Sequence, residues 1–491
     1  MSSLLKKTIA FSTGTLLSRI LGFGREIMFT YFLGASLVSD IFFATFRIPN
    51  FLRKLLAEGT LSFAYINIFS RLEKEEGSEE ALKLSSAFLN FIFLITFLLF
   101  ILVFLFSDQI IRVVLIGFEG NKLEIASYYL RWLFPFIILI SLSSVFAGFL
   151  NIKGAFLIPA ASSGFLNISL ITGVLLFKSE NIFSMGKVFG ISVLLAGLLQ
   201  FIMVMLFSFK KGFRYYFILN HPGLRRMLFF FIPGTFAMAI TQMNVLVDGI
   251  FASYLPTGGI SWLNYGNRLM QFPLGLFGIA ISTVMTPEFA KDNDKERANL
   301  KLCKAFRMNS VLIIPCMIGL MIFSEELVSL IFFRGEFDYK DVLETSKTLF
   351  YYSSGLWFYA AVKIMMPMFY SQNRVKIPVF SALFSLIVNS ILNFILIKYY
   401  QASGLALATA ISALLNFMLL RFFSGNAGVR FEFIFKMTTI TIILTTMLIL
   451  LKQFNIFFIM ITSVILYMIL LKVFKLEEFD DLIRFFNKKR A

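Results

Sequence analysis

The residues best able to do chemistry sit where a membrane protein ordinarily excludes them. The run SRILGFGREI carries Ser18, Arg19, Arg25 and Glu26, and SDIFFATFRIPNFLRKLLAEG carries Asp40, Arg47, Arg53, Lys54 and Glu58, inside stretches otherwise apolar enough to cross a bilayer. Arg268 lies in NYGNRLMQFPLGLFG, and Asp248 and Lys363 stand in other apolar runs. One charge at a helix centre costs roughly 2.5–3.5 kcal/mol on the insertion scale. Arg19, Arg25, Arg53 and Arg268 facing lipid would together cost on the order of 10 kcal/mol, the size of a whole domain's stability. They are therefore expected to face a wet or protein-lined interior. Guanidinium is planar, permanently charged and able to grip phosphate through two parallel hydrogen bonds, so this excess points to a diphosphate-like anion. A proton-driven exporter of cationic drugs would need carboxylates there instead.

These side chains are carried by helices. Asp40 and Arg47 share one helical face, as do Ser18, Gly22 and Arg25. Gly22 and Gly24 in the first helix and Pro49 in the second allow bends. The chain is 58% hydrophobic and 15% charged, against about 25% charged in soluble proteins, and its mean hydropathy is +0.83. The pattern predicts an all-α polytopic membrane protein of about fourteen spans, near 8–32, 37–68, 84–106, 123–150, 156–177, 183–209, 227–254, 260–289, 308–323, 341–371, 377–397, 404–420, 437–451 and 456–471. Met1 to Lys7 and the apolar stretch after them read as a retained first helix, because Arg19, Arg25 and Glu26 interrupt any signal-peptide pattern. Lysine and arginine concentrate on alternate loops, which places both termini in the cytoplasm.

The net charge of +17 is spread over such loops, for example Lys210, Lys211, Arg214, Arg225 and Arg226, so it speaks for anionic membrane lipids and not for nucleic acid. Two cysteines and one histidine exclude a disulfide framework and argue against a zinc or haem site. No nucleotide-binding loop is present, and no acid, base or metal constellation accompanies the arginines, which argues against an enzyme acting on lipid pyrophosphate.

The two halves echo each other at an offset of about 218 residues. LKLSSAF (82–88) answers LKLCKAF (300–306), SDQIIRVVLIGFEG from Ser107 answers SEELVSLIFFRGEF from Ser324, and GFLNIKGAFLIPA ending at Ala160 answers MFYSQNRVKIPVF ending at Phe380. Six spans separate equivalent points, so the repeat is parallel: a six-helix lobe over 1–215, a second over 216–425, and two extra helices with a tail over 426–491. A cavity between the lobes is the expected transport site, and Arg268 falls near the position equivalent to Arg53.

SRILGFGREI, LGASLVSDIFF, RIPNFLRKLLAEGTLSFAY and FYSQNRVKIPV together resemble the lipid II flippases of peptidoglycan synthesis, the MurJ (MviN) branch of the MOP superfamily that also holds the MATE exporters. The resemblance covers essentially the whole chain. It implies that Arg19, Arg25, Arg53 and Arg268 engage the pyrophosphate of lipid II, with Ser18 and Asn167 beside them. Asp40 and Glu58 would set helix packing and gating at the two ends of the cavity, and the last two helices would form a groove for the polyprenyl tail. Some members bind Na+ through positions matching Asp248, Asn389, Asn393, the Leu405 carbonyl and Thr409; here Asn393 replaces an aspartate. The resemblance further implies a bacterial inner-membrane location, alternating access driven by an ion gradient or the membrane potential, no other cofactor, and lipid II, membrane lipids and cell-wall synthesis proteins as partners. The alternative is an exporter of another polyprenyl-linked oligosaccharide or of small amphiphiles.

Overall fold

A computed structural model of the chain describes residues 3–56, 60–290, 295–372, 374–425 and 431–479, and every regular element among them is a helix. In order these are α1 (Ser3–Leu33), α2 (Leu37–Leu56), α3 (Thr60–Glu75), α4 (Ser78–Leu105), α5 (Ser107–Val114), α6 (Asn121–Leu133), α7 (Phe136–Ile152), α8 (Leu157–Ser162), α9 (Phe165–Phe177), α10 (Ile182–Lys210), α11 (Pro222–Ala252), α12 (Gly259–Pro273), α13 (Ile279–Ala290), α14 (Lys295–Ile322), α15 (Ser324–Phe332), α16 (Tyr339–Ser354), α17 (Leu356–Ser371), α18 (Lys376–Ser424), α19 (Phe431–Leu451) and α20 (Ile456–Val473). Among the described residues, eight helical stretches are long and apolar enough to cross a bilayer, and each is more lipid-like than a soluble helix, which shows only one apolar stripe.

Several expected single spans are broken, for local reasons. Pro135 cannot donate a backbone hydrogen bond, and 123–150 divides there into α6 and α7. The 260–289 span passes Pro273 through one π-helical turn, Leu274–Gly278, which absorbs the missing bond. The 341–371 span divides at Gly355. Conversely, 377–397 and 404–420 run together as α18, reversing at Gln401 (φ 49°, ψ −128°) with no loop. That tight reversal relies on Gly404, where a Cβ would stand 2.5 Å from the Leu396 carbonyl oxygen.

The sequence repeat has a backbone counterpart. α4 meets α5 at Phe106 (φ −109°, ψ 23°), and α14 meets α15 at Phe323 (φ −106°, ψ 28°). Each amide donates four residues back, to Leu102 O and Gly319 O at 2.9 and 3.0 Å. Two sequences with little identity thus bend the same way at equivalent points.

The chain packs as two compact units, Met1–Ser261 with Arg334–Asp338, and Trp262–Phe333 with Tyr339–Ala491. The core of the first is largely aromatic, with Tyr65, Phe69, Phe88, Phe149 and Phe213 all nearly inaccessible. In the second, Phe289, Phe306, Met365, Phe369 and Leu420 form one cluster, and α19 and α20 pack on α14 through Val311, Ile440 and Leu471. Phenylalanine, so frequent in the composition, is the main packing currency of the first unit.

Candidate functional site

The charged face of α1 is assembled from its own turns and from α9. Asn167, buried on α9, donates from Nδ2 to the Ser18 carbonyl at 3.2 Å, and the Ser163 hydroxyl donates to Ser18 Oγ at 3.0 Å. Gly22, one turn further, leaves the approach clear, since a Cβ there would already touch the Asn167 amide at 3.6 Å. Ser18 and Asn167 are therefore neighbours.

The arginines are held in three different ways. Arg25 is buried and donates from Nη2 to Glu26 Oε1 at 2.5 Å, with its guanidinium 5.8 Å from the Phe29 ring centre. Adjacent residues on a helix point apart, and only arginine's length lets this pair close. Arg53 on α2 donates from Nε to Asn50 Oδ1 at 3.0 Å, one turn back. Arg19 is exposed and makes no hydrogen bond or ion pair among the described residues. Arg268 is half-buried on α12 in the second unit. Sequence reasoning missed the roles of Glu26 and Asn50. The i, i+3 spacing of Asn50 and Arg53 was a usable signal, whereas nothing local foretold the buried neutralisation of Arg25.

Asp40 is buried and fully engaged. Its carboxylate accepts from the Gly258 amide (2.7 Å), the Ser261 amide (2.8 Å) and the Ser261 hydroxyl (2.7 Å). A carboxylate on the first turn of α12 satisfies amides that the helix itself cannot, and it meets the positive end of the helix dipole. Beside it, the Ser261 hydroxyl also approaches Ser39 Oγ at 3.1 Å, and Ser39 donates to the Gly34 carbonyl at 2.9 Å. Further along α2, Arg47 lies over Gly249 of α11, where any Cβ would stand 2.5 Å from Nη1, and Lys54 donates to Gln242 at 3.1 Å. Glu58 lies outside the described residues.

Two loops seat on the same end of this unit. The loop after α5 places Gly117 on the end of α11, its amide donating to Ser253 Oγ at 2.9 Å. The loop after α15 places Gly335 and Glu336 on the end of α1, with the Glu336 amide donating to the Tyr31 carbonyl at 3.0 Å. Lys178 pairs with Glu336 at 3.1 Å.

The residues matched to a cation site divide between the units. Asp248 belongs to the first; Asn389, Asn393, Leu405 and Thr409 belong to the second. Both asparagines are buried on the first arm of α18. On the second arm, the Thr409 hydroxyl donates to the Leu405 carbonyl at 2.9 Å. Two amides, a hydroxyl and a carbonyl are oxygen donors of the kind a hard monovalent cation takes. Among the described residues no group of three His, Cys, Asp or Glu side chains could hold a metal ion.

Known structures place this architecture. A lipid II flippase MurJ in an inward closed conformation superposes with a TM-score of 0.84 at 30% identity, covering 97% of this chain and 100% of that one. An inward-facing multidrug-resistance MATE family transporter of the MOP superfamily shares the fold, with a TM-score of 0.69 at 14% identity over 85% of this chain and 98% of that one. The chain thus has the helical fold shared by these two membrane proteins. Its sequence is 36% identical over 419 residues to the probable lipid II flippase MurJ of Buchnera aphidicola subsp. Acyrthosiphon pisum, spanning 84% of this chain and 82% of the relative. The chain belongs to the lipid II flippase MurJ family, whose profile matches residues 29–476. It is a multi-pass inner-membrane protein and a transporter rather than an enzyme.

Proposed function

We propose that this chain carries lipid II from the cytoplasmic to the outer leaflet by alternating access, with Arg19, Arg25, Arg53 and Arg268 taking the pyrophosphate. The observation that carries the reading is family membership across 29–476 together with arginines set in the first two helices. In this reading the exposed Arg19 makes the first contact. Arg25 exchanges Glu26 for a substrate phosphate, which keeps the guanidinium neutralised throughout. Arg53 arrives pre-oriented by Asn50, and Arg268 joins the set through the resemblance. Ser18 and Asn167 shape the α1 wall. The two lobes, 1–215 and 216–425, rock within about fourteen crossings, with both termini cytoplasmic. Asp40 secures the end of the path where it meets α12, Glu58 acts at the other end, and α19 and α20 take the polyprenyl tail. The driving force is the membrane potential or a Na+ gradient acting on Asp248, Asn389, Asn393, the Leu405 carbonyl and Thr409.

The test is rescue of a bacterium depleted of its own lipid II flippase, with membrane levels of each variant checked. The parent chain should restore growth, and well-expressed Arg19→Ala, Arg25→Ala, Arg53→Ala and Arg268→Ala should not. Failure of a well-inserted parent would remove the substrate assignment; rescue by all four variants would make the arginines structural. Replacing Na+ by K+ in a vesicle assay separates the two driving forces.

A further inference from the structure

Away from the candidate site, α3 and α11 enclose a cleft of about 390 Å³, within the size range of small-ligand pockets, and Arg225 and Arg226, expected in a loop, stand on α11. Its polar wall is made by Arg71 of α3 and by Arg225 and Arg226 of α11; Leu72, Pro222 and Phe229 make its apolar wall. Three guanidiniums face one carboxylate, Glu75, and that carboxylate is already paired with Arg71 Nε at 2.8 Å. Arg225 and Arg226 are exposed, and neither has a hydrogen bond or ion pair among the described residues. Both sit in the opening turns of α11, where the helix dipole favours anions and disfavours cations. The His221 side chain already caps that helix, accepting from the Gly223 amide at 3.0 Å, so the arginines are not needed to satisfy its backbone.

The cleft's surroundings select its occupant. α11 has 31 residues and is about 46 Å long, well beyond a hydrocarbon core of about 30 Å, so its opening turns reach headgroup level. Phe229 is 74% exposed beside the arginines, a large apolar surface directly below a cationic one. We propose that this cleft is a binding site for an anionic membrane phospholipid: the phosphate bridges Arg71 of α3 to Arg225 and Arg226 of α11, and the start of an acyl chain lies along Phe229 and Leu72. The occupied site would clamp α3 to α11 independently of any transported substrate, so the inference does not depend on the flippase reading.

The experiment uses the full chain, purified and delipidated in detergent, titrated with phosphatidylglycerol, phosphatidylethanolamine or inorganic phosphate. Thermal unfolding and phosphatidylglycerol adducts in native mass spectrometry are read together. Phosphatidylglycerol should raise the unfolding midpoint above the level reached with phosphatidylethanolamine. Arg225→Gln with Arg226→Gln should weaken it by about fivefold per arginine lost. Arg214→Gln, an exposed arginine outside the cleft, should leave it unchanged. If the glutamine pair lowers the baseline midpoint, the corresponding lysine pair keeps charge but loses the planar fork, and should give a partial loss in adducts. Equal binding by the glutamine pair, an equal loss with Arg214→Gln, or equal stabilisation by inorganic phosphate would each overturn the proposal.

Discussion

The loops that follow the two equivalent kinks are built to one plan and held by different chemistry. Past Phe106, the chain reaches Gly117, whose amide depends on a single hydroxyl, Ser253 Oγ. Past Phe323, it reaches Gly335 and Glu336, where the bond is backbone to backbone onto Tyr31. Gly335 (φ 59°) and its counterpart Gly34 (φ 59°) both occupy the left-handed region, and a Cβ on either would enter the other segment's backbone at 2.1–2.3 Å. At Gly117 the backbone is ordinary, and a Cβ would stand 2.6 Å from Ser253. One contact is therefore constrained by conformation and space, the other by space and one side chain. A repeat can preserve a bend while its halves diverge in what keeps the bend seated.

That contrast can be broken in graded steps. The largest effect is expected from Asp40→Ala, which removes three accepted hydrogen bonds next to both seats and leaves the Gly258 and Ser261 amides buried; the loss should be about 3–5 kcal/mol, read as a fall in the unfolding midpoint and faster amide hydrogen exchange over 253–261. Gly335→Ala comes next. It combines a left-handed residue, at about 1–2 kcal/mol, with a backbone clash, so exchange over residues 331–338 should accelerate most. Gly117→Ala has the clash without the conformational strain and should perturb its own loop by a smaller margin. Ser253→Ala leaves one amide without its acceptor and should cost about 1–3 kcal/mol, accelerating exchange at Gly117 while residues 331–338 stay protected. Lys178→Ala is the smallest: the Lys178–Glu336 pair is well exposed, and after screening its loss should shift the midpoint by no more than about 1 kcal/mol, with the difference vanishing at high salt. If Gly117→Ala and Gly335→Ala prove equal, the backbone distinction between the two loops carries no energetic weight.

Much of this was legible beforehand, but unevenly. The helical class and the repeat could be read because they depend on composition and on motifs conserved within the chain itself, such as the serines that open α5 and α15. Asp40 stood out as an acid in an apolar run. Its partners did not, because Gly258 and Ser261 lie 218 and 221 residues away and donate backbone amides, which any residue but proline supplies. The division at Pro135 was visible as a residue and not as a break, since proline is tolerated within membrane helices when neighbours re-satisfy the backbone. The gap between the 377–397 and 404–420 spans reads as a short connection, whereas the reversal at Gln401 has no loop; its tightness rests on Gly404 meeting Leu396, a contact that hydropathy does not encode. Arg25 was legible as a charge and illegible as half of a pair.

The charges on α1 and α2 also bear on how the chain is made. These helices leave the ribosome before the rest of the bundle described above, yet α2 alone carries Asp40, Arg47, Arg53 and Lys54, each costly to partition into lipid. Their packing partners, α6 to α11, are synthesised later. Integration one helix at a time in chain order would therefore leave these charges facing lipid, at a cost relieved only when the later apolar helices arrive to shelter them.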